Sequence, residues 1–212
     1  MLQLSNGRVI PNALRAVTAK FERFSWHWYD GVQSDPDAIE PVDYAITIAM
    51  NSRATADRMK QFMELGPTLN NLLRAIPHDT TLATDTSDDV FHAVEMLFDK
   101  ACSAKGTKLS VASKVLHRKR PHLIPMLDSV VVNRHYWPAL NAHAPSWFEP
   151  SWLTTGASSD PTQYMRVMAD ELDANREELA RIRADLPKGI PASISDVRLL
   201  EAALYAQLLT SE

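Results

Sequence analysis

Ala101-Cys102-Ser103-Ala104-Lys105-Gly106-Thr107-Lys108-Leu109-Ser110-Val111-Ala112 decides how the chain is read, because two helical segments meet there across Lys105-Gly106-Thr107-Lys108. An amphipathic helix ends near Cys102-Ser103, and a second, shorter one begins around Ser110. Between them Gly106 can take a positive φ or let another group approach the backbone closely. The first amides of the second helix have no partner inside it and point at whatever the hairpin faces, where a phosphate is a natural guest. Leu109, Ala112, Val115 and Leu116 form the face expected to be buried, which leaves Lys114, Arg118 and Lys119 outside. Pro121 ends the helix.

Helical periodicity extends outward from this hairpin in both directions. The pattern predicts helices over Asn12–Phe24, Pro41–Met50, Thr55–Leu65, Thr68–Ala75, Asp88–Ser103, Ser110–His117, Ser129–Leu140, Pro161–Leu186 and Ser193–Leu209. The punctuation agrees. Ile76-Pro77 stops one helix, Asp88 and Asp89 suit the positive end of the next, and Ser193 with Asp196 opens the last in capping-box fashion. With only six glycines and few alternating β-branched runs, a large sheet is excluded, and only Arg8-Val9-Ile10 reads as a short strand. The expected class is all-α, a helical domain built around a central helix-hairpin-helix.

The 212 residues suffice for one sizeable core, and no internal repeat marks a second domain, so residues 1–212 are read as one unit. Pro145, Pro150, Gly156 and the Ser158-Ser159-Asp160 run give 143–160 the composition of a connection, while Trp147, Phe148 and Trp152 argue that it is ordered. The alternating charges from Asp170-Glu171 to Arg181 read as a solvated helix face. A single cysteine, Cys102, allows neither an internal disulfide nor a cysteine-rich metal site. No segment reaches the ~18 apolar residues of a membrane span, and the N-terminus lacks the features of a signal peptide. A reducing cytoplasmic setting, with no membrane contact, is the expectation.

Charge is distributed unevenly. The chain carries a formal net charge of -4, yet Ala101–Leu127 holds six cations (Lys105, Lys108, Lys114, Arg118, Lys119 and Arg120) and no acid. Cations at a helix C-terminus are one explanation. A phosphate-binding surface is the other, since a chain approaching a polyanion gathers Lys and Arg and removes carboxylates that would repel it. On that reading, Lys105, Gly106, Lys108, Ser110, Lys114, Arg118, Lys119 and Arg120 contact nucleic acid.

The run Gly106-Thr107-Lys108-Leu109-Ser110-Val111-Ala112-Ser113-Lys114, followed by Arg120-Pro121-His122-Leu123-Ile124-Pro125-Met126-Leu127-Asp128, resembles the helix-hairpin-helix DNA glycosylase superfamily. Gly106 matches the first hairpin glycine, Ala112 the small inward residue, and Asp128 the acid that follows an apolar stretch and a proline. Asp128–Arg134 resembles the helix start after that acid. Ala112-Ser113-Lys114, Arg118-Lys119-Arg120-Pro121 and Pro125-x-x-Asp128 are also similar to an uncharacterised, largely actinobacterial family, and this looser similarity extends through most of the chain. The specific match is confined to Gly106–Arg134. It departs from the superfamily at Lys108, which replaces the second glycine, and at Ser110, which occupies the Schiff-base lysine position of the strand-cleaving members. Lys108 lies two residues from Ser110, and a helix turns ~200° over two residues, so its amine is expected to point elsewhere. What the resemblance implies is duplex DNA as partner, no lyase step, and monofunctional base excision with Asp128 stabilising an oxocarbenium-like sugar and activating water.

From the residues alone, Asp128 before Val130-Val131-Val132 is equally a helix N-cap. Stacking aromatics would come from Trp26-His27-Trp28-Tyr29, from Tyr136-Trp137, or from Trp147 and Trp152, each of which can instead be core. His117, His122 and His135 lack metal-ligand spacing, and no Gly-rich nucleotide loop is present, so neither a metal nor a cofactor is expected. Three readings stay open: a glycosylase-like enzyme using Asp128, the same scaffold binding nucleic acid without catalysis, and a helical module whose basic patch meets an acidic protein.

Overall fold

The computed structural model describes residues 1–23, 26–142, 160–191 and 193–210. Its elements in chain order are β1 (Leu2–Gln3), β2 (Val9–Ile10), α1 (Ala13–Arg23), α2 (Trp26–Gly31), α3 (Pro41–Ala45), a 3-10 turn (Ile46–Met50), α4 (Ala56–Met63), α5 (Gly66–Arg74), α6 (Asp88–Cys102), α7 (Leu109–Lys119), α8 (Ser129–Val131), a π segment (Val132–Tyr136), α9 (Trp137–Ala142), α10 (Pro161–Ala174), α11 (Arg176–Ala184) and α12 (Asp196–Thr210). Among the described residues the protein is all-α apart from the β1–β2 pair, joined antiparallel with Leu2 opposite Ile10. The stretch from 143 to 159, with Trp147, Phe148 and Trp152, lies outside the described residues.

The predicted punctuation is largely where it was expected. Asp88 and Asp89 fill the first turn of α6 as expected; two caps the sequence reading did not name are Ser87, accepting from the Val90 amide, and Asp160, accepting from the Thr162 amide at the start of α10. Other expectations differ, the helix over Pro41–Met50 among them, which is α only to Ala45 and continues as the 3-10 turn. Trp26–Gly31 is helical although too short to show a period, and it is held by the buried faces of Trp26 and Tyr29. The last helix starts at Asp196, where Ser195 rather than Ser193 accepts from the Arg198 amide at 3.1 Å. Expected as one helix, Ser129–Leu140 contains a π segment that carries His135, whose Nε2 lies 2.8 Å from Glu171.

The long predicted helix over Pro161–Leu186 breaks at Asn175, whose side chain pairs with both backbone groups of Gln3, accepting at 2.7 Å and donating at 2.6 Å. Its acidic face is not wholly solvated either. Glu171 is 2% exposed and accepts from the amide and hydroxyl of Ser5. The N-terminal hairpin thus uses α10 and its break as the hydrogen-bonding surface it lacks on its own.

At the centre, α6 and α7 pack as the expected hairpin, with Gly106 at the bend at φ +81°. The core runs through Phe91, Val94, Leu97 and Phe98 of α6 and Ala112, Val115 and Leu116 of α7 to Leu199, Leu200 and Leu204 of α12. The helix α12 also packs along α1, closing the N-terminal half onto the C-terminal half.

A side chain at Gly106 would be strained by its φ and would meet Arg58 Nε at 2.8 Å. Gly106→Ala is therefore expected to cost more than about 1 kcal/mol in a urea melt. Gly31→Ala, at the end of α2 with nothing within 4 Å of the added carbon, is expected to be neutral or slightly stabilising.

Candidate functional site

The basic run does not form the exposed patch expected of it. Lys114, Lys119 and Arg120 are 3%, 0% and 1% exposed, and the Arg118 side chain is 5% exposed. For Arg118 and Lys119 the physical reason is Asp43, a fully buried carboxylate on α3 that faces α7. Arg118 donates to Asp43 Oδ1 at 2.9 Å and to the carbonyls of Tyr29 and Val32, at 2.7 and 2.9 Å. Lys119 pairs with Asp43 Oδ2 and donates to the Asp35 carbonyl at 2.8 Å. Arg120 reaches the carbonyls of Ile76, Pro36 and Leu73 and the Asp37 carboxylate. These three cations pin the 29–43 segment onto α7, and the Asp35-Pro36-Asp37 loop is the receiver. Burial pushes the Asp43 carboxyl up, but bonds from Lys119, Ser34, the Glu40 amide and Arg118 outweigh it and hold the group below its ordinary range.

Of the predicted phosphate ligands, Lys105, Gly106 and Lys108 are exposed, and Ser110 is half-buried. Arg58, which the sequence did not single out, lies against Gly106. Lys108 is the N-cap of α7 and makes no side-chain cap bond.

Asp128 stands where expected, at the N-terminus of α8, with its side chain 23% exposed. One oxygen caps the helix by accepting from the Val130 amide at 3.0 Å, and the other accepts from Lys114 Nζ at 3.0 Å. Lys114 Nζ also donates to Ser110 Oγ at 3.0 Å. Lysine thus serves the carboxylate from one helical turn beyond Ser110, a spacing the i, i+4 rule makes legible. Exposed Lys108 is not the amine paired with Asp128.

Beside Asp128 lies a small cavity of about 20 Å³ between the two halves, walled by Lys20, Trp26, Asn51, Lys114, Glu201 and Tyr205 among others. Lys20 Nζ rests 3.5 Å from the Tyr205 ring centre and 4.5 Å from that of Trp26. Burial, and then the Asp128 charge, raises the Tyr205 hydroxyl. Trp26, Tyr29 and Tyr136 are core residues, as the sequence allowed, whereas Trp28 is 62% exposed.

Glu201 was missed, although a lone carboxylate inside the apolar run Leu199–Leu204 is the signal that finds it. It is 4% exposed on its side chain. One oxygen accepts from the Met126 amide, and Oε2 has no hydrogen-bond partner. Arg198 lies 3.6 Å away but is already committed to Asp30 through Nε and Nη2. Burial raises the Glu201 carboxyl to about 8, against the lowering pull of Arg198. Arg198 also walls a larger hollow of about 340 Å³ with Asp30, His117 and Arg118, where Arg198 pairs with Asp30, Arg118 with Asp43, and His117 shares a hydrogen bond with the Ile124 carbonyl. Among the described residues no cluster of His, Cys, Asp and Glu has the makings of a metal site, and no helix is long and apolar enough to cross a membrane.

The chain belongs to a family of unknown function, DUF6308, whose model matches residues 12–207. No curated protein and no solved structure matches it.

Two stability measurements check this description. Lys119→Met leaves Asp43 under-compensated and is expected to cost about 3–5 kcal/mol, while Lys105→Ala stays within about 0.5 kcal/mol of wild type. For Glu201, the unfolded chain loses its proton near pH 4.5 while the folded protein keeps it to about pH 8. The contribution of this group is therefore present below that window and lost as pH rises through it, at up to about 1.4 kcal/mol per pH unit. The urea midpoint of Glu201→Gln, compared with wild type across the window, is expected to lack this decline.

Proposed function

We propose that the chain is a duplex-DNA-binding protein on a helix-hairpin-helix, glycosylase-like scaffold and a monofunctional base-excision N-glycosylase acting through Asp128. The observation that carries this reading is Asp128 itself, a partly exposed carboxylate fixed by a backbone amide and by Lys114 at a cavity between the two halves of the fold. Both bonds orient the group before any substrate arrives, and preorganised charge is what an oxocarbenium-like transition state needs. Support for the DNA contact comes from the hairpin tip, where positive-φ Gly106 presents Lys105 and Lys108 beside Arg58. The phosphate-binding role proposed for Arg118, Lys119 and Arg120 gives way to the structural one.

A cavity of about 20 Å³ holds a water and not a base. Excision on this reading requires the cavity wall to open around a flipped nucleotide, and that requirement is also what favours the second reading, a DNA-binding scaffold without catalysis.

The test is to offer duplexes carrying uracil, hypoxanthine or 7-methylguanine and assay for abasic sites. Release that falls by about 10²-fold or more in Asp128→Asn is expected. Release that survives this change rejects Asp128, and no release from any lesion leaves the non-catalytic scaffold. Binding has its own signature, because with two or three surface cations in contact the slope of log K against log salt should lie near -2 to -3. Lys105→Ala with Lys108→Ala should bring that slope toward -1 without unfolding the protein.

A further inference from the structure

Asp128 does not stand alone at its cavity. Glu201 of α12 lines the same space, with its buried Oε2 making no hydrogen bond and lying 3.6 Å from Arg198 Nη1. The charges around it are balanced in pairs. Arg198 is neutralised by Asp30 at 3.0 Å, and Lys114 by Asp128 at 3.0 Å. The remaining cation of the wall, Lys20, lies over the Tyr205 and Trp26 rings. A second carboxylate that must share Arg198, 3.6 Å away, with Asp30 keeps its proton, because ionising it would set two buried negative charges against one guanidinium.

We infer that Glu201 is the proton donor of the Asp128 site, delivering its proton to the leaving base as the glycosidic bond breaks. This rests on the base-excision reading above and adds to it a second carboxyl with a distinct role. In the step, the C1′–N bond breaks with its electron pair going to the base nitrogen, and the Glu201 proton goes to the base. The Asp128 carboxylate faces the sugar cation. Water then adds to C1′, and the proton it gives up passes by way of Asp128 to Glu201, which restores both groups. The products are the free base and the abasic sugar, and no oxidant or metal enters the balance. Burial, which raises the Glu201 carboxyl to about 8, keeps it an acid at neutral pH. A carboxyl kept protonated by burial, beside a carboxylate held by Lys114 and a backbone amide, can divide acid and stabiliser roles with it.

The experiment separates the departing bases by whether they need a proton. Hypoxanthine and uracil leave as anions unless protonated, whereas 7-methylguanine is already cationic in the nucleotide and leaves neutral. Single-turnover release from the three duplexes is measured for wild type, Glu201→Gln, Glu201→Asp and Asp128→Asn, with thermal unfolding of each variant alongside. Glu201→Gln is expected to lose about 10²-fold or more on hypoxanthine and uracil and less than about 3-fold on 7-methylguanine. Asp128→Asn should lose release of both classes.

Equal losses on all three bases in Glu201→Gln, or no loss on any, overturn the proton-donor role and leave the Asp128 reading standing. Wild-type release of 7-methylguanine alone also overturns it, since that base needs no acid. If wild type releases only the neutral bases, a partial rescue by Glu201→Asp over Glu201→Gln upholds the role, and equal loss in both rejects it. If wild type releases no base, excision itself fails and this inference with it, a failure visible before any variant is made.

Discussion

A carboxylate with no exposed surface cannot stay charged inside a protein without partners, and Asp43 obtains them from α7. That requirement organises the molecule. It turns Arg118 and Lys119 inward, draws the 29–43 segment across α7, and leaves Arg120 to collect the carbonyls of Leu73 and Ile76 at the end of α5. The result is a central helix buried nearly all round, with α6 on one side and the N-terminal segments on the other. Only with α7 held this firmly do Ser110 and Lys114 come to fixed positions beside Asp128.

The site then follows from one short passage between helices. Pro121–Leu127 is tied to α7 through Ser113, which accepts from the Leu127 amide at 2.9 Å, and to α12 through Glu201 at the Met126 amide. Both ties end immediately before Asp128, so the acid is delivered with its backbone already fixed. The same passage brings a residue of α12 to a residue of α8, elements far apart in the chain. The cavity is thus a product of tertiary packing, while its principal acid sits on a local turn.

What was legible in the sequence was local. The Lys-Gly-Thr break gave the hairpin, and Asp128 gave a cap that the structure contains, because a cap needs only its own next few residues. The basic run misled for the opposite reason. A cluster of cations without nearby acids looks solvent-facing, and the acid that absorbs two of them lies 75 residues earlier than Arg118. Asn175 behaves similarly, since nothing in its helix announces that the backbone of Gln3 will claim its side chain. Glu201 could have been noticed as a single carboxyl among leucines and alanines, but which cavity it faces is settled only by how α12 crosses α1 and α8.

The central claim is that the carboxylate of Asp128 faces a sugar carrying positive charge, and binding tests it without any turnover. Two duplexes are compared, one with a neutral tetrahydrofuran abasic analogue and one with a cationic pyrrolidine in its place. Because analogues that carry the charge of a transition state bind more tightly than those that lack it, the cationic duplex should bind about 10²-fold or more tightly, and Asp128→Asn should abolish the preference. Equal affinity of the wild-type protein for the two duplexes would contradict the account.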